Sequence, residues 1–191
     1  MLARPLNSSL CHAREVHIIV SLILETLRLK VVEITIDDID LLYPLTGNKD
    51  VMRYFPKILS YADTKEMIRK ILDHYKKYGY CFWKVLLKPK ERFVGITGLL
   101  HQEIDGKTET EIAFRIKPEH WNNGYATEAA NACKDYGQTI LRKAGLISLI
   151  HPKNNASVSV HGVYLLSKPA HLFTSITRRD CIKFALKLIT Y

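Results

Sequence analysis

EHWNNGYATEAANACKDYG, residues 119–137, places two asparagines and a glycine directly before a predicted helix that carries little bulk on one face. Small or apolar residues recur on that face at helical spacing, and they are Ala126, Ala129, Ala130, Cys133, Tyr136, Gly137, Ile140 and Leu141. The opposite face is polar and comprises Thr127, Asn131, Lys134, Gln138 and Arg142. Such a helix can pack close to a sheet. Its start, rich in backbone N–H groups and poor in side-chain bulk, is a favourable site for a phosphate.

Length and composition favour one soluble globular domain. The chain has 191 residues, of which 47% are hydrophobic and 25% are charged, a balance too apolar for a disordered protein. The net charge is +9, but the basic residues are scattered along the chain. A positive net charge is compatible with binding to RNA, to an acidic protein surface or to a multiply phosphorylated cofactor, and equally with an ordinary solvated surface.

The cysteines and apolar segments favour a cytoplasmic location. Cys11, Cys81, Cys133 and Cys181 are widely separated and form no C-x-x-C motif, so neither a disulfide framework nor a structural metal site is predicted. A reducing cytoplasm is therefore expected. The apolar segment VHIIVSLIL, residues 16–24, is too short to span a bilayer, and no membrane partner is expected.

The first half of the chain predicts one strand, two helices and a strand hairpin. Residues 1–23 differ in character from the rest of the chain and are interpreted as an N-terminal extension to a domain of residues 24–191. Residues 24–35 alternate as one strand, and residues 35–47 predict a helix with Ile39, Leu41, Leu42 and Leu45 on one side. Residues 63–79 predict a second helix, capped by Asp63 or Thr64 and ending at Gly79. YCFWKVLLK and RFVGITGLLHQ, residues 80–88 and 92–102, predict a hairpin.

The second half completes a mixed α/β sheet. TETEIAFRIKP, residues 108–118, predicts a third adjacent strand that ends at Pro118. After the helix with the small-residue face, residues 145–152 predict a strand, and residues 154–160 begin a short helix capped by Asn154 or Asn155. Residues 163–173 and 180–189 predict a final hairpin.

Three segments resemble a known family. EIAFRIKPEHWNNGYATEAANA (residues 111–132), HPKNNAS (151–157) and NKDVMRYFP (48–56) are similar to elements of the GNAT superfamily of acyl-coenzyme A N-acyltransferases. The similar branch contains the ribosomal-protein alanine/serine N-acetyltransferases, and the resemblance extends from about Glu25 to the end of the chain. It implies a single GNAT-like α/β domain with a mixed, mostly antiparallel sheet flanked by helices.

The resemblance implies a binding site for acetyl-coenzyme A (acetyl-CoA) as co-substrate. The loop from Trp121 to Ala126 corresponds to the family's pyrophosphate site, where backbone N–H groups at the positive helix end are donors. In the family, the strand over residues 108–116 splays from the strand over 146–151, and the pantetheine arm lies in the gap. One main-chain N–H there would face the thioester oxygen. The implied cofactor-binding residues are Ile112, Phe114, Ile116, Trp121, Asn122, Asn123, Gly124, Tyr125, Ala126, Thr127 and Asn154.

Two departures from the family pattern accompany this site. The family often has Gly-Lys where this chain has Asn122 and Asn123, so one phosphate-facing charge is expected to be missing. The alternative is that both asparagines only cap the helix. After Val160, about three residues, almost one helical turn, are absent relative to the family. We therefore expect a shortened helix there, with Tyr164 at the start of a strand.

Three residues are predicted to be catalytic. Glu109 and Glu111 share a strand face, and repulsion with partial burial would raise the pKa of one of them towards that of a useful base. The resemblance favours Glu111 as the general base, because Glu111 aligns with the acidic residue before the family's Ile-Gly-Tyr. The alternative is two solvated carboxylates. By resemblance Asn154 holds the cofactor arm, and Ser157, one helical turn later, protonates or hydrogen-bonds the leaving sulfur; a plain cap-region serine is its alternative.

Other polar and aromatic side chains are weaker candidates. His151 is interpreted as structural. The resemblance places Trp83, Tyr54 and Phe55 at an acceptor pocket, with core aromatics as the alternative.

The resemblance predicts an N-acetyltransferase that passes an acetyl group from acetyl-CoA directly to a primary amine in a ternary complex, without a metal. The acceptor stays open between a protein N-terminus, an amino acid, a polyamine and an aminoglycoside, and the basic surface disfavours a cationic one. The alternatives are a degenerate, non-catalytic protein that binds coenzyme A (CoA) or a partner, and an RNA-binding protein suggested by charge alone.

Overall fold

A computed structural model describes residues 21–165, 171–176 and 182–187, with side chains described as far as His161. One eight-stranded sheet runs through these residues in the order β1-β2-β3-β4-β5-β6-β8-β7. The strands are β1 Leu22–Glu25, β2 Leu29–Glu33, β3 Phe82–Leu87, β4 Arg92–Ile104, β5 Lys107–Ile116, β6 Gly145–Ile150, β7 His171–Ile176 and β8 Ile182–Lys187. The helices are α1 Ile39–Thr46, α2 Tyr61–Tyr78, α3 Tyr125–Thr139 and α4 Asn155–Leu165. The predicted α/β class and mostly antiparallel sheet are confirmed.

The prediction of one strand over residues 24–35 is wrong, because the chain turns back after β1. Thr26 N–H donates to the Leu29 carbonyl at 2.9 Å, and Leu29 N–H donates to the Thr26 hydroxyl at 2.9 Å. β1 and β2 pair antiparallel, with Glu25 opposite Lys30. Apolar residues continue to alternate through this turn, so the sequence pattern gave no sign that the chain turns there. Residues 1–20 lie outside the described residues, and the boundary after residue 23 stays a prediction.

Helices cover the two faces of the sheet. α1 and α2 pack on one face through Leu42, Leu45, Ile68 and Ile71, in a core that includes Phe82 and Ile96. α3 packs on the other face, in a core to which the sheet contributes Leu29, Val31, Trp83, Val85, Val94, Leu99, Ile112, Ile116 and Leu146. Side chains on a strand alternate between faces, so β5 sends Ile112, Phe114 and Ile116 to the α3 side and Ala113 and Arg115 to the side of α1 and α2.

Both early helices exist, with corrections at their starts. A 3-10 turn, Ile36–Asp38, precedes α1, and Leu41 lies outside the apolar face, with 36% of its surface exposed. α2 is capped by Ser60 rather than by Asp63 or Thr64. The Ser60 hydroxyl accepts the Asp63 N–H at 3.1 Å, and the Asp63 carboxylate accepts the Ser60 N–H at 3.1 Å. The predicted end of α2 at Gly79 is confirmed by that residue's left-handed φ of 80°.

α3 has the predicted small inner face. Ala129, Ala130, Cys133 and Gly137 are buried, and a β-carbon on Gly137 would lie 3.2 Å from Leu99 and Leu146. Two predicted positions are wrong. Ile140 follows the last residue of α3 and is 63% exposed, whereas Lys134, assigned to the polar face, is only 4% exposed. α3 packs against α4 as well as the sheet, so more than one of its faces is covered.

The shortened helix predicted after Val160 is wrong. α4 continues past Val160 to Leu165, and Gly162 does not end it. Residues 163–165, expected to begin a strand, therefore belong to α4, and Tyr164 lies on the helix. A final hairpin is present as β7 and β8, which pair antiparallel from His171 opposite Lys187 to Ile176 opposite Ile182. Its second strand lies within the predicted residues 180–189, but its first strand overlaps the predicted residues 163–173 only at 171–173. Residues 166–170, 177–181 and 188–191 lie outside the described residues.

Candidate active site

The expected splay between β5 and β6 is present. β5 pairs with β4 along its whole length, from Lys107 to Ile116, but it pairs with β6 in parallel only where Glu111 lies opposite Ile147. Beyond this point the Ser148 hydroxyl donates to the Ile112 carbonyl at 3.2 Å. The two strands therefore enclose a gap that opens towards their carboxyl ends.

Main-chain groups of β5 line this gap. The Ile112 carbonyl faces β6, as its bond from Ser148 shows, and main-chain groups alternate along a strand paired on its other side. Phe114 and Ile116 therefore turn their N–H and carbonyl groups towards the gap as well. The Ile116 carbonyl accepts the indole N–H of Trp121 at 2.7 Å. The described residues of β6 offer Phe114 no ladder partner.

The loop before α3 has the bare helix start that its sequence predicts. Asn122 and Gly124 adopt left-handed φ values of 59° and 74°. Gly124 occupies the N-cap position, and no side chain caps the helix, so the interpretation of Asn122 and Asn123 as caps is wrong. The Asn123 amide instead donates to the Trp121 carbonyl at 2.8 Å. First-turn N–H groups of α3 consequently have no side-chain acceptor within the described part of the chain.

A cation that the sequence did not reveal lies beside this loop. Arg28, from the turn between β1 and β2, donates through NH1 to the Asn123 carbonyl at 2.9 Å. Its guanidinium carbon lies 4.6 Å from the centroid of the Tyr125 ring. A β-carbon on Gly124 would lie 3.4 Å from Arg28 NH2. Arg28, which precedes Asn123 by 95 residues in the sequence, therefore places a positive charge beside the loop. The predicted lack of the family's own loop charge at Asn122 and Asn123 stays a prediction.

Glu128, in the first turn of α3, holds that arginine in place. Its carboxylate accepts the Arg28 Nε–H at 2.6 Å, the Arg28 backbone N–H at 2.9 Å and the Thr26 hydroxyl at 2.5 Å. Burial opposes ionisation, but the hydrogen bonds from Thr26 and Arg28 outweigh it and lower the pKa of Glu128. The first hairpin is thus tied to the start of α3 by a charged, half-buried cluster.

Glu111 lies at the closed end of the gap. It is 8% exposed, and the Gln102 side-chain amide donates to its carboxylate at 2.7 Å. Glu109, two residues earlier on the same strand face, is half-buried. The interpretation of both residues as solvated carboxylates is therefore wrong for Glu111.

Asn154 and Ser157 lie at the start of α4, just after β6. The Asn154 side-chain oxygen accepts the Ser157 N–H at 3.2 Å, and its carbonyl accepts the Val158 N–H at 3.0 Å. Asn154, rather than Asn155, therefore caps α4. Because β5 and β6 are parallel, the helix starts that follow them lie at the same edge of the sheet, the edge to which the gap opens.

The connection between α1 and α2 covers the ends of β5 and β6. The Tyr54 ring lies 5.2 Å from the His151 ring, centroid to centroid, and the Arg115 guanidinium lies 4.3 Å from the Phe55 ring centroid. His151 also accepts the Lys153 N–H through Nδ1 at 3.2 Å. Trp83, in contrast, is 1% exposed and meets Tyr136 edge to face, so it belongs to the core on the α3 side.

Features typical of metal sites and membrane spans do not occur among the described residues. These residues contain no group of three or more His, Cys, Asp or Glu side chains arranged to hold a metal ion. None of the described helices combines the length and apolarity needed to cross a bilayer. Cys81 and Cys133 are free and buried, and burial raises the pKa of these thiols to about 11 and about 12.

Sequence comparison finds relatives for most of the chain. A family model described as an acetyltransferase (GNAT) domain matches residues 28–162. The uncharacterized protein YkkB of Bacillus subtilis (strain 168) is 35% identical over 116 residues, which span 61% of this chain and 67% of YkkB. The uncharacterized N-acetyltransferase YoaA of the same strain is 28% identical over 137 residues, or 71% of this chain and 77% of YoaA.

Solved structures share the fold. The acetyltransferase from Agrobacterium tumefaciens str. C58 superposes with a TM-score of 0.74 at 16% identity, covering 97% of this chain and 99% of its own. The spermidine N-acetyltransferase from Vibrio cholerae, solved in complex with CoA and spermine, superposes with a TM-score of 0.64 at 19% identity. That match covers 83% of this chain and 95% of the other.

Proposed function

Because the chain belongs to the GNAT acetyltransferase family, we propose that this acetyltransferase uses acetyl-CoA and a primary amine, which reacts directly in a ternary complex. The acceptor is a small-molecule amine or a protein N-terminus. The observation that carries the proposal is the gap between β5 and β6, which opens beside the uncapped start of α3. The free thiols of Cys81 and Cys133 support a reducing cytoplasm as its location.

The gap fits the long arm of CoA. Main-chain groups of Ile112, Phe114 and Ile116 would bond the arm as a neighbouring strand would. Asn154, at the same edge of the sheet, would bind the arm from the other side. The uncapped N–H groups support a pyrophosphate site over residues 121–127, and Arg28 adds positive charge beside them.

The chemistry requires a neutral amine and a proton for the departing thiolate. When bound, acetyl-CoA supplies a thioester as the acyl donor. Glu111 would remove a proton from the amine, and burial with the bond from Gln102 holds its carboxylate in one position. A Phe114 N–H turned into the gap would polarise the carbonyl under attack. Ser157 would donate its hydroxyl proton or a hydrogen bond to the sulfur.

The degenerate, non-catalytic alternative loses the observation that motivated it. It depended on a missing turn after Val160, and α4 continues to Leu165. RNA binding retains only the net charge of +9 in its favour.

Calorimetric titration of the full chain with acetyl-CoA tests the proposal, with ATP as the control ligand. We expect micromolar binding of acetyl-CoA, weaker binding of ATP, and thiol release when primary amines are added. Absence of acetyl-CoA binding would contradict the proposal.

Two glycines provide matched variants for this titration. Gly124 and Gly106 have φ values of 74° and 76°, so alanine introduces similar backbone strain at either position. Gly124→Ala adds a methyl group beside the loop and should weaken acetyl-CoA binding, whereas Gly106→Ala, in the turn between β4 and β5, should not. Equal affinities for the two variants would remove this loop from the cofactor site.

A further inference from the structure

Arg115 is a partly buried cation on the side of β5 that faces α1 and α2, and its Nε is shielded from solvent. Its guanidinium lies between two aromatic rings, 4.3 Å from the centroid of Phe55 and 5.0 Å from that of Phe82. Its NH1 is 4.0 Å from the sulfur of Met67, a weak acceptor. The side chain is therefore enclosed by the sheet, by α2 and by the segment that precedes α2.

The charge of Arg115 is poorly compensated. The buried Nε of Arg115 has no hydrogen-bond partner among the described residues. Burial lowers the pKa of Arg115 to about 10, against the opposing effect of the Glu111 charge, so the group remains a cation at neutral pH. Aromatic stacking offsets only part of the cost of burying a guanidinium. An arrangement of this kind suits an anion that binds from outside.

Arg115 lies on the same face of β5 as the predicted catalytic base, Glu111. It follows Glu111 by four residues, and side chains at this spacing on a strand point to the same face. Phe55, which stacks on Arg115, is partly exposed, and its neighbour Tyr54 stacks on His151 beyond the end of β6. The segment of Tyr54 and Phe55 therefore borders both Arg115 and the open end of the gap.

We propose that Arg115 binds a carboxylate of the acceptor whose amine is deprotonated by Glu111. The acceptor is then an amino acid or short peptide with a free carboxylate, rather than a polyamine. This inference rests on the proposed acetyl transfer and specifies its substrate class. Arginine suits the role because its planar fork of N–H donors matches a carboxylate. The basic net charge of +9 would also attract an anionic acceptor.

Matched acceptors that differ only in the carboxylate test the inference. Triglycine and its C-terminal amide present the same primary amine, and kcat/KM for each is measured by thiol release. We expect the free acid to be preferred by about tenfold or more, through a lower KM. Arg115→Met should reduce this ratio to about one, and Arg115→Lys, which keeps the charge but loses the fork, should give an intermediate ratio.

Arg53→Met is the matched control, since Arg53 lies in the same segment and is exposed and paired with Asp50. It should leave the preference for the free acid intact. A similar preference for the free acid in wild type and Arg115→Met would overturn the inference, as would equal use of acid and amide by the wild type. If the amines are acetylated, either result would still support the proposed acetyl transfer.

A binding measurement keeps the two proposals separable. N-acetyltriglycine and its amide are titrated calorimetrically into wild type and Arg115→Met, with and without CoA, after thermal melting shows that both proteins are folded. Tighter binding of the acid by wild type alone supports the inference even without turnover. Equal or absent binding of both compounds overturns it, whereas failure to bind acetyl-CoA counts against the proposed function instead.

Discussion

Glu111 and Glu109 share one strand face but differ in burial. Gln102 lies opposite Glu109 on β4, yet its amide donates to Glu111. This bond fixes the orientation of a carboxylate that is 8% exposed, while the half-buried Glu109 remains closer to solvent. The proposed role of Glu111 as general base requires a carboxylate held in position, and the bond from Gln102 provides this restraint.

Replacement of Glu111 by glutamine should lower activity without loss of cofactor binding. Gln can keep a hydrogen bond with Gln102, but it cannot accept the amine proton, so kcat/KM for thiol release should fall by roughly 10²–10⁴-fold. Calorimetry should show unchanged acetyl-CoA affinity. Glu109→Gln is the matched control and should lose far less activity. Equal losses in both variants would contradict the role of Glu111.

Asn154 caps α4 and is also predicted to contact the cofactor arm. Two substitutions distinguish these two roles. Asn154→Ala removes the acceptor of the Ser157 N–H and should lower the free energy of unfolding by about 1 kcal/mol in urea denaturation. Asn154→Asp keeps a capping oxygen and should keep the stability, but it loses the amide donor and should weaken acetyl-CoA binding. Wild-type affinity in Asn154→Asp would reduce Asn154 to a cap alone.

The first hairpin and the start of α3 form one charged unit. An acidic residue in the first turn of a helix is favourable in itself, and Glu128 also accepts hydrogen bonds from both Thr26 and Arg28. The same Arg28 holds the carbonyl of Asn123 in the loop before α3. The short β1–β2 element therefore restrains the geometry of a loop that belongs to a distant part of the sequence.

Arg28→Met should weaken acetyl-CoA binding by roughly tenfold, because it removes both a charge beside the loop and a charged hydrogen bond to Asn123. Calorimetry measures this change. Lys30→Met is the control, since Lys30 lies in the same hairpin and pairs with the exposed Glu91. A similar loss of affinity in both variants would indicate a general effect of charge rather than the local one.

At the scale of the whole molecule, one irregular pairing divides an otherwise regular sheet. β1 to β5 pair antiparallel in chain order, and β6, β8 and β7 form a second antiparallel group. The two groups meet at the parallel, splayed contact between β5 and β6. Two helices, α3 and α4, begin at the edge where this contact opens, so the fold itself concentrates main-chain donors there.

Stability of the whole domain should depend on pH through His161. Burial lowers the pKa of His161 to about 4. The unfolded chain therefore binds a proton between pH 6.5 and about 4 that the folded chain does not, and the free energy of unfolding should fall through this window by up to roughly 3 kcal/mol. Urea denaturation of wild type and His161→Gln at several pH values measures it. The variant should show a smaller slope, and an identical slope would contradict the assignment.

Local patterns predicted much of the fold because they report on the residues that carry them. Gly79 ends α2 since its left-handed φ suits glycine, and Ala129 and Ala130 mark the buried face of α3 by their spacing. Prediction from local patterns failed where the residue pattern did not mark the true end of a strand or helix. Alternation continued through the turn at Thr26, and Gly162 suggested an end to α4 that the helix does not have.

By itself, the sequence determined the α/β class, the order of most elements, and the bare helix start at residues 121–125, since these depend on spacing within one segment. Only the tertiary structure decided which distant groups meet. Arg28 reaches Glu128 across 100 residues, and the guanidinium of Arg115 lies between Phe55 and Phe82. Contacts of this kind form when separate segments pack on one sheet. Their energies depend on interatomic distance and on burial, and neither quantity can be read from a short segment of sequence.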